Sequence, residues 1–358
     1  MRVPVIDANG TPLMPCTPAK ARHLLKQGKA TSFWNKLGLF CIRLAYVVEH
    51  PDHQPLVVGV DPGATYEGFS VVGTQDTVVN LMVEAPTHVK HAVEQRRVMR
   101  RGRRYRKCRR RPARFDHRTR PPGWVPPSTR SRWEAKARIV AQLQKVLPLT
   151  DVVVEDVSAE TRPGKRRGGK TRKWNAAFCP VQNGKQHLYR LLRGMGLTLH
   201  LRQGYETKAL REQYGLKKSK SKQQRTFASH AVDAWVLAAQ VSGAAYPTDP
   251  RIRYVVPVRV HRRQLHRFQP SKGGVRTPYG GTQSLNFKRG TLVRHPKHGL
   301  CAVGGCDRKR QTISLHAYRT NQRLTQGART GDCQRLTVVA FRSWLVRRKE
   351  DGGAAKTR

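Results

Sequence analysis

The sequence predicts an α/β protein in which helices flank a mixed β-sheet. Two kinds of segment support this prediction. Short apolar runs of strand length, separated by turn residues, occur at Val57–Asp61, Gly68–Val72 and Val78–Val83. Longer segments with helical periodicity follow, of which Ser128–Leu147 is the clearest. At 358 residues, the chain is long enough for two or three domains.

The first 50 residues predict a small α+β unit. A strand at Val3–Asp7 precedes a turn, and Thr17 then offers an N-cap for a helix over Ala19–Gln27 that ends at Gly28. Phe40–Val48 has the composition of a second strand.

An arginine-rich segment follows the three central strands. Arg96–Arg114 contains eleven arginines and one lysine, and arginine favours helix formation. With no acidic partners inside the segment, repulsion between like charges opposes an isolated helix, and a polyanion would relieve it. The segment therefore predicts a helix that contacts nucleic acid, through Arg96, Arg97, Arg100, Arg101, Arg103, Arg104, Arg106, Lys107, Arg109, Arg110 and Arg111.

The rest of the chain continues the α/β pattern and then becomes β-rich. A strand is expected at Asp151–Glu155, followed by a basic loop at Arg162–Lys173. After the loop we expect a helix at Gln186–Met195 and a strand at Leu197–Leu201. Two further helices are expected, one from Thr207 and one at Thr226–Val241. Beyond about residue 245 the strand-like runs are Tyr254–Val258, Thr291–His295, Leu300–Val303, Thr312–His316 and Thr337–Phe341. Lys349–Arg358 is expected to be a disordered tail.

The charge of the chain favours a nucleic-acid partner. Lysine and arginine number 70 and acidic residues 22, which gives a formal charge of +48. Release of counterions from phosphates makes binding to nucleic acid favourable for such a chain. No apolar run reaches the length of a membrane span, no signal peptide is recognisable, and the seven cysteines are irregularly spaced. These features predict a cytoplasmic, nucleoid-associated protein with reduced thiols.

Three acidic residues stand at positions suited to a metal site. Asp61 ends the first central strand before Pro-Gly, although such an aspartate also forms turns. Glu155 ends a later apolar strand, and Asp156 competes with it at the same strand end. Asp233 lies three residues after His230 on a predicted apolar helix, so that both would project from one face.

These acids suit a hydrolase that uses two Mg²⁺ ions, for which Mn²⁺ could substitute. An ion pair between Asp233 and an arginine is the structural alternative. His230 is either an ordinary helix histidine, a catalytic proton carrier or a phosphate contact. Together, the order of the acids predicts an RNase H-like sheet and phosphodiester cleavage.

This order of motifs resembles the three split RuvC motifs of transposon-encoded, RNA-guided nucleases. The segment Pro12–Pro15 reads PLMP, which is similar to the signature of the first domain in the IscB and IsrB families. IscB carries an HNH domain between the second and third RuvC motifs. Here His187 and His200 are the only histidines between Glu155 and His230, with no His-Asn-His arrangement. The chain therefore resembles IsrB, the relative that lacks HNH.

The resemblance implies an RNA-guided nickase. Asp61, Glu155 and Asp233 would be Mg²⁺ ligands and His230 an accessory catalytic group. A long structured guide RNA would pair with the target strand of double-stranded DNA, and the RuvC site would cut the displaced strand. The arginine-rich helix would hold the guide RNA and the heteroduplex, with one protein monomer in the ribonucleoprotein. Candidates for reading a target-adjacent motif are Arg289, Arg294, Lys297, Arg308 and Arg310.

The resemblance also implies a domain order. We expect a PLMP domain at 1–52, RuvC part I at 53–90, the bridge helix and connector at 91–120, RuvC parts II and III at 121–245, a β-rich C-terminal region at 246–348 and a tail at 349–358. Three other functions stay open: a TnpB-like nuclease that cuts both strands, a non-catalytic RNA-binding protein and a guide-free junction resolvase. The first of these typically carries a cysteine cluster near the third motif, where Cys179 stands alone between Glu155 and Asp233.

Overall fold

The structure is a computed structural model, which describes residues 1–104, 121, 123–156, 180–257, 268–269, 274–275, 283–338 and 341–346. It divides into two compact units. The first unit contains Met1–His53, Lys145–Pro148 and Arg251–Arg358, and the second contains Gln54–Gln144 and Leu149–Pro250.

The first unit begins with a four-stranded sheet and one helix. Its elements are β1 (Val3–Ile6), β2 (Pro12–Cys16), α1 (Pro18–Lys26), β3 (Ala30–Trp34) and β4 (Phe40–Leu44), with strand order β2-β1-β4-β3. The predicted cap is confirmed, because the Thr17 hydroxyl accepts from the amide of Lys20 at 3.2 Å. Gly28 follows the helix at φ 70°, a conformation that favours glycine. The PLMP segment forms most of β2, which the sequence did not predict as a strand.

The second unit contains five strands and six helices among its described residues. They are β5 (Leu56–Asp61), β6 (Tyr66–Gly73), β7 (Thr77–Glu84), α2 (His88–Arg104), α3 (Pro127–Gln144), β8 (Asp151–Asp156), α4 (Pro180–Arg193), β9 (Thr198–Gln203), α5 (Gly204–Gln213), α6 (Phe227–His230) and α7 (Val232–Ser242).

The strands of this unit follow the order β7-β6-β5-β8-β9. The first three pair antiparallel, whereas β5, β8 and β9 run parallel. This is the RNase H-like arrangement, and the predicted fold class is confirmed. Parallel strands with helical crossovers are buried on both faces, which explains the continuous apolar run Val152–Val154.

Helix α7 packs closely on one face of these strands. Trp235 is fully buried there against Val57 and Val153. A Cβ atom at Gly59 would lie 1.8 Å from the carbonyl oxygen of Ala234, so only glycine allows this close approach of helix and strand.

Helix α3 contacts the other face. The carbonyl oxygen of His230 lies against Gly68 of β6, on the face of the sheet that α7 covers. Consecutive residues of a strand point to opposite faces of the sheet. Glu67 therefore points away from α7, where its carboxylate accepts from Lys136 of α3 at 2.6 Å. Both side chains of this ion pair are buried.

Several predicted helix bounds were wrong. The helix expected over Thr226–Val241 is two helices that meet at Ala231, so His230 and Asp233 do not share one helical face. The chain bends where the His230 carbonyl meets β6 at Gly68. α4 and α5 begin earlier than predicted; Gln203 and Glu206 form a capping box that starts α5.

The arginine-rich helix also starts earlier, at His88, and its part beyond Arg104 lies outside the described residues, as does the predicted loop Arg162–Lys173. The structure describes no side chain for Arg103 or Arg104. Arg106, Lys107, Arg109, Arg110 and Arg111 likewise lie outside it.

The C-terminal part of the first unit is β-rich, as predicted. β10 (Ile252–Pro257) pairs antiparallel with β20 (Phe341–Leu345). Two short hairpins precede a five-stranded antiparallel sheet of order β18-β17-β16-β15-β19. The bounds are β11 (Phe268–Gln269), β12 (Gly274–Val275), β13 (Gln283–Ser284), β14 (Phe287–Lys288), β15 (Thr291–His295), β16 (Gly299–Asp307), β17 (Thr312–Ala317), β18 (Arg323–Arg329) and β19 (Gln334–Val338).

The core of this sheet is small and contains two buried thiols. Val293, Ile313 and Leu315 pack with Cys301 and Cys333. The single strand expected at Thr337–Phe341 is wrong, because β19 ends at Val338 and β20 begins at Phe341. The predicted tail lies outside the described residues. Among the described helices, none has the length and apolar character needed to cross a bilayer.

Candidate active site

Two adjacent parallel strands place Asp61 and Glu155 at the same edge of the sheet. In the register of β5 and β8, Val60 pairs with Val154, and each acid is the next residue of its strand. The two carboxyl groups are close enough for each to affect the pKa of the other. Both acids are among the candidate metal ligands of the sequence analysis.

Burial and mutual repulsion change the protonation of these acids. Burial raises the pKa of Asp61, while the nearby Lys218 ammonium opposes the rise. For Glu155, burial and then the charge of Asp61 raise the pKa to about 7, and Asp233 contributes in the same direction. All three acids therefore interact, and a positive charge among them would be strongly favoured.

Asp233 lies in the first turn of α7 and is nearly fully buried. A buried carboxylate is unfavourable unless it is paired and hydrogen-bonded. The guanidinium of Arg211 donates to it at 2.6 Å, and the ammonium of Lys218 donates to its other oxygen. The ion pair with an arginine that the sequence left open is thus present, together with the convergence on Asp61 and Glu155.

Lys218 is the member of the site that sequence reasoning missed. Its Nζ lies 3.7 Å from Oδ2 of Asp61 and contacts Asp233. Although partial burial lowers the pKa of this lysine, the surrounding carboxylates raise it further, so the ammonium stays charged. The available signal was the lysine-rich stretch 217–222, which ends eight residues before His230.

His230 adjoins the acids but is engaged with the backbone. Its Nε2 lies 3.0 Å from the carbonyl oxygen of Lys222, which can only accept, so Nε2 carries a proton there. The ring packs edge-on against Tyr66, with centroids 5.1 Å apart. Burial lowers the pKa of His230, which favours the neutral ring. This hydrogen bond attaches the lysine-rich segment 217–222 to His230, next to the site.

Asp156 has a different environment from Glu155. It accepts from the Tyr189 hydroxyl at 2.7 Å and from Gln203 Nε2 at 3.2 Å, and it forms an ion pair with buried Lys185. Burial raises its pKa, but the hydrogen bond from Lys185 and the others outweigh that effect and lower it. Asp156 is therefore saturated with protein partners, whereas Glu155 faces Asp61.

The donor chemistry of the site fits a hard divalent cation. Mg²⁺ prefers carboxylate oxygens, and Asp61, Glu155 and Asp233 supply them from three different elements. As the side chains stand, no group of three or more such residues within the described ranges is close enough to hold an ion. The positive charge that the acids require comes from the Lys218 ammonium, which stands in for a cation.

Some of the residues predicted to contact nucleic acid lie within the part of the chain that the structure describes. Arg96, Arg97, Arg100 and Arg101 are exposed on α2, and Nη1 of Arg97 lies 3.9 Å from the carboxylate of Glu94. In the C-terminal sheet the predicted readers lie just before β15, on β15, in the turn after it and in the turn between β16 and β17. Of these, Arg289 is half-buried, and the exposed ones are Arg294, Lys297, Arg308 and Arg310.

Comparisons with known proteins show similarity to a protein family and to solved structures. The model of a family described as "RRXRR protein" matches residues 3–173. RuvC of T. thermophilus in complex with a Holliday junction substrate is 14% identical, with a TM-score of 0.28, and the match covers 54% of this chain and 99% of that one. A second Thermus thermophilus RuvC structure is 15% identical, with a TM-score of 0.23 and the same coverage. No curated protein sequence matches. Over residues 3–173, the chain is similar to the RRXRR family.

Proposed function

We propose that this protein is a metal-dependent DNA endonuclease of the RuvC type that is guided by RNA and acts as a nickase. A guide RNA pairs with the target strand of double-stranded DNA, and the site at the edge of β5 and β8 cuts the displaced strand. Mg²⁺ is the proposed cofactor, and Mn²⁺ could replace it.

One observation carries the proposal: Asp61, Glu155 and Asp233 come from three separate elements and interact electrostatically at one edge of an RNase H-like sheet. Grouping three acids raises the free energy of the folded protein unless cations compensate them. Within a chain of charge +48, such a group is more readily explained by chemistry than by stability.

The residues of the site would have different roles in such a reaction. Bound divalent ions would activate water and stabilise the leaving oxygen in an in-line displacement. Asp61, Glu155 and Asp233 would hold those ions. Arg211 orients Asp233 through the 2.6 Å hydrogen bond. His230 lies in the electrostatic field of Asp61, and on release from the Lys222 carbonyl its ring would be free to carry a proton.

The RNA-guided part of the proposal rests on features away from the acids. The PLMP segment lies in strand β2, where Leu13 is buried, and the exposed arginines of α2 present a cluster of positive charge. Backbone contacts of this kind bind a duplex without reading its sequence. No HNH signature lies between Glu155 and His230, so a second cut would require the other strand to reach the same RuvC-type site, and we expect one cut in one strand.

The experiment uses the protein purified with the RNA that accompanies it. Sequencing that RNA supplies the guide, and a duplex with each strand labelled at its end is then incubated with Mg²⁺ or with EDTA. We expect one discrete noncoding RNA and cleavage of the displaced strand only, in Mg²⁺ only. Cleavage of both strands would favour a TnpB-like nuclease, and binding without cleavage would favour an RNA-binding protein.

A further inference from the structure

We propose that Lys218 is an internal counter-ion that occupies the site in the metal-free protein and leaves when a divalent cation binds. Its ammonium and the cation compete for the carboxylates of Asp61 and Asp233. This inference rests on the proposed function only in taking those carboxylates as metal ligands.

The contacts of Lys218 are those of a bound cation. Its Nζ joins acids from two different elements, at 3.7 Å from Asp61 and in direct contact with Asp233. Without it, the carboxylates of Asp61, Glu155 and Asp233 would repel one another. The lysine thus keeps the acids together before any ion arrives.

The exposure of the two side chains indicates that Lys218, and not Arg211, leaves Asp233. The Lys218 side chain is 39% exposed, whereas that of Arg211 is 18% exposed. Lysine has a flexible stem and a compact, strongly hydrated charge, so its withdrawal into water is inexpensive. Arg211 stays, and continues to orient Asp233.

Hydrogen bonds hold the backbone of the segment that carries Lys218, so only the side chain would move in the exchange. The amide of Ser219 donates to the carbonyl of Ala228 at 2.9 Å, and His230 binds the carbonyl of Lys222 at 3.0 Å. These contacts fix the segment 219–222 against α6. The exchange is therefore a side-chain movement that needs no unfolding of the segment.

Formal charges favour the exchange once a cation is present. Three carboxylates with Lys218 and Arg211 leave one unit of negative charge. A single divalent ion in place of the ammonium brings the group to neutrality.

After displacement, the Lys218 ammonium would form an ion pair with a phosphate group. The segment around it also carries Lys217, Lys220, Lys222 and Arg225, a density of positive charge suited to a nucleic-acid backbone. If a phosphate takes Lys218 while the metal takes the acids, each ligand increases the affinity for the other, and this coupling is reciprocal.

The test measures metal binding rather than cleavage. The full-length protein with its accompanying RNA is titrated with Mn²⁺ by calorimetry at constant ionic strength and without DNA. Three proteins are compared: wild type, Lys218→Met, and Lys217→Met as a control whose exposed ammonium is not among the contacts of these acids. Lys218→Gln is the second variant if Lys218→Met does not fold.

We expect Lys218→Met to bind Mn²⁺ at least about tenfold more tightly than wild type and Lys217→Met, since the competing charge is gone. In metal-free buffer its thermal transition should fall below that of wild type, and Mn²⁺ should restore it. Equal or weaker Mn²⁺ binding by Lys218→Met would overturn the inference while leaving the metal site in place. If none of the proteins binds Mn²⁺, the proposed function fails as well.

Discussion

Asp61 and Glu155 follow the paired residues Val60 and Val154 on adjacent parallel strands, so their carboxyl groups interact at the same end of the sheet. Burial and then the charge of Asp61 raise the pKa of Glu155 to about 7, because the two carboxylates repel each other. A cation bound by both groups would remove that repulsion. Removal of either acid should affect chemistry more than folding.

The first prediction separates Glu155 from its neighbour Asp156. Glu155→Gln should lower the rate of DNA cleavage by more than about 100-fold, since a metal ligand contributes several kcal/mol at the transition state. Asp156→Asn should instead reduce the free energy of unfolding by about 1–3 kcal/mol, because Lys185 and Tyr189 lose a charged acceptor. Cleavage rates and urea unfolding measure the two effects. The reverse pattern would make Asp156 the ligand.

The second prediction concerns the packing of α7 on β5. Gly59→Ala places a methyl group where Ala234 has its carbonyl oxygen, 1.8 Å away, so helix or strand must move. We expect a loss of about 3 kcal/mol in the free energy of unfolding, or more. Gly73→Ala is the control, since its nearest atom lies at 3.5 Å, an ordinary contact. Similar losses from both substitutions, measured by chemical unfolding, would contradict the packing explanation.

The third prediction uses the buried ion pair between Glu67 and Lys136. Both side chains are at most 3% exposed, and Glu67 keeps one carboxylate oxygen without a hydrogen bond in the described structure. Lys136→Met leaves that charge uncompensated and should destabilise the fold by about 3–5 kcal/mol.

The double variant Glu67→Leu with Lys136→Met removes both charges and should be more stable than Lys136→Met alone. Equilibrium urea unfolding of the single and double variants provides the comparison. If the double variant is the less stable of the two, the pair contributes more than charge compensation.

The fourth prediction concerns the exposed arginines of α2. Replacing Arg96, Arg97, Arg100 and Arg101 by glutamine should reduce the slope of log affinity against log salt by up to about 4, since each lost phosphate contact releases roughly one counterion fewer. A control with the same change in net charge replaces Lys20, Arg22, Lys26 and Lys29, which are exposed in and after α1. Fluorescence anisotropy with labelled RNA, measured from low to high salt, gives the slopes. Equal slopes for the two variants would mean that α2 contributes only general charge.

The sheet was largely predictable because its strands carry their own signals. Apolar runs that end in an acid define β5 and β8, and the parallel pairing of these strands brings the two acids together. By contrast, β2 and β3 contain polar and turn-forming residues, so only their pairing with β1 and β4 makes them strands.

The details of the site depend on contacts that no local pattern contains. The break at Ala231 follows from the meeting of the His230 carbonyl with Gly68, which is far away in the sequence. Lys218 is one lysine among many, and only the fold shows that it reaches Asp61. The ion pair between Arg211 and Asp233 joins residues of α5 and α7 that no periodicity connects.

The most direct test compares binding and cleavage in one substitution. Wild type and Asp61→Asn are prepared with the same RNA, and each is assayed for affinity to the target duplex and for cleavage of it in Mg²⁺. We expect Asp61→Asn to bind the duplex with the affinity of wild type and to show no detectable cleavage. Cleavage by Asp61→Asn at a rate near that of wild type would contradict the assignment of this site.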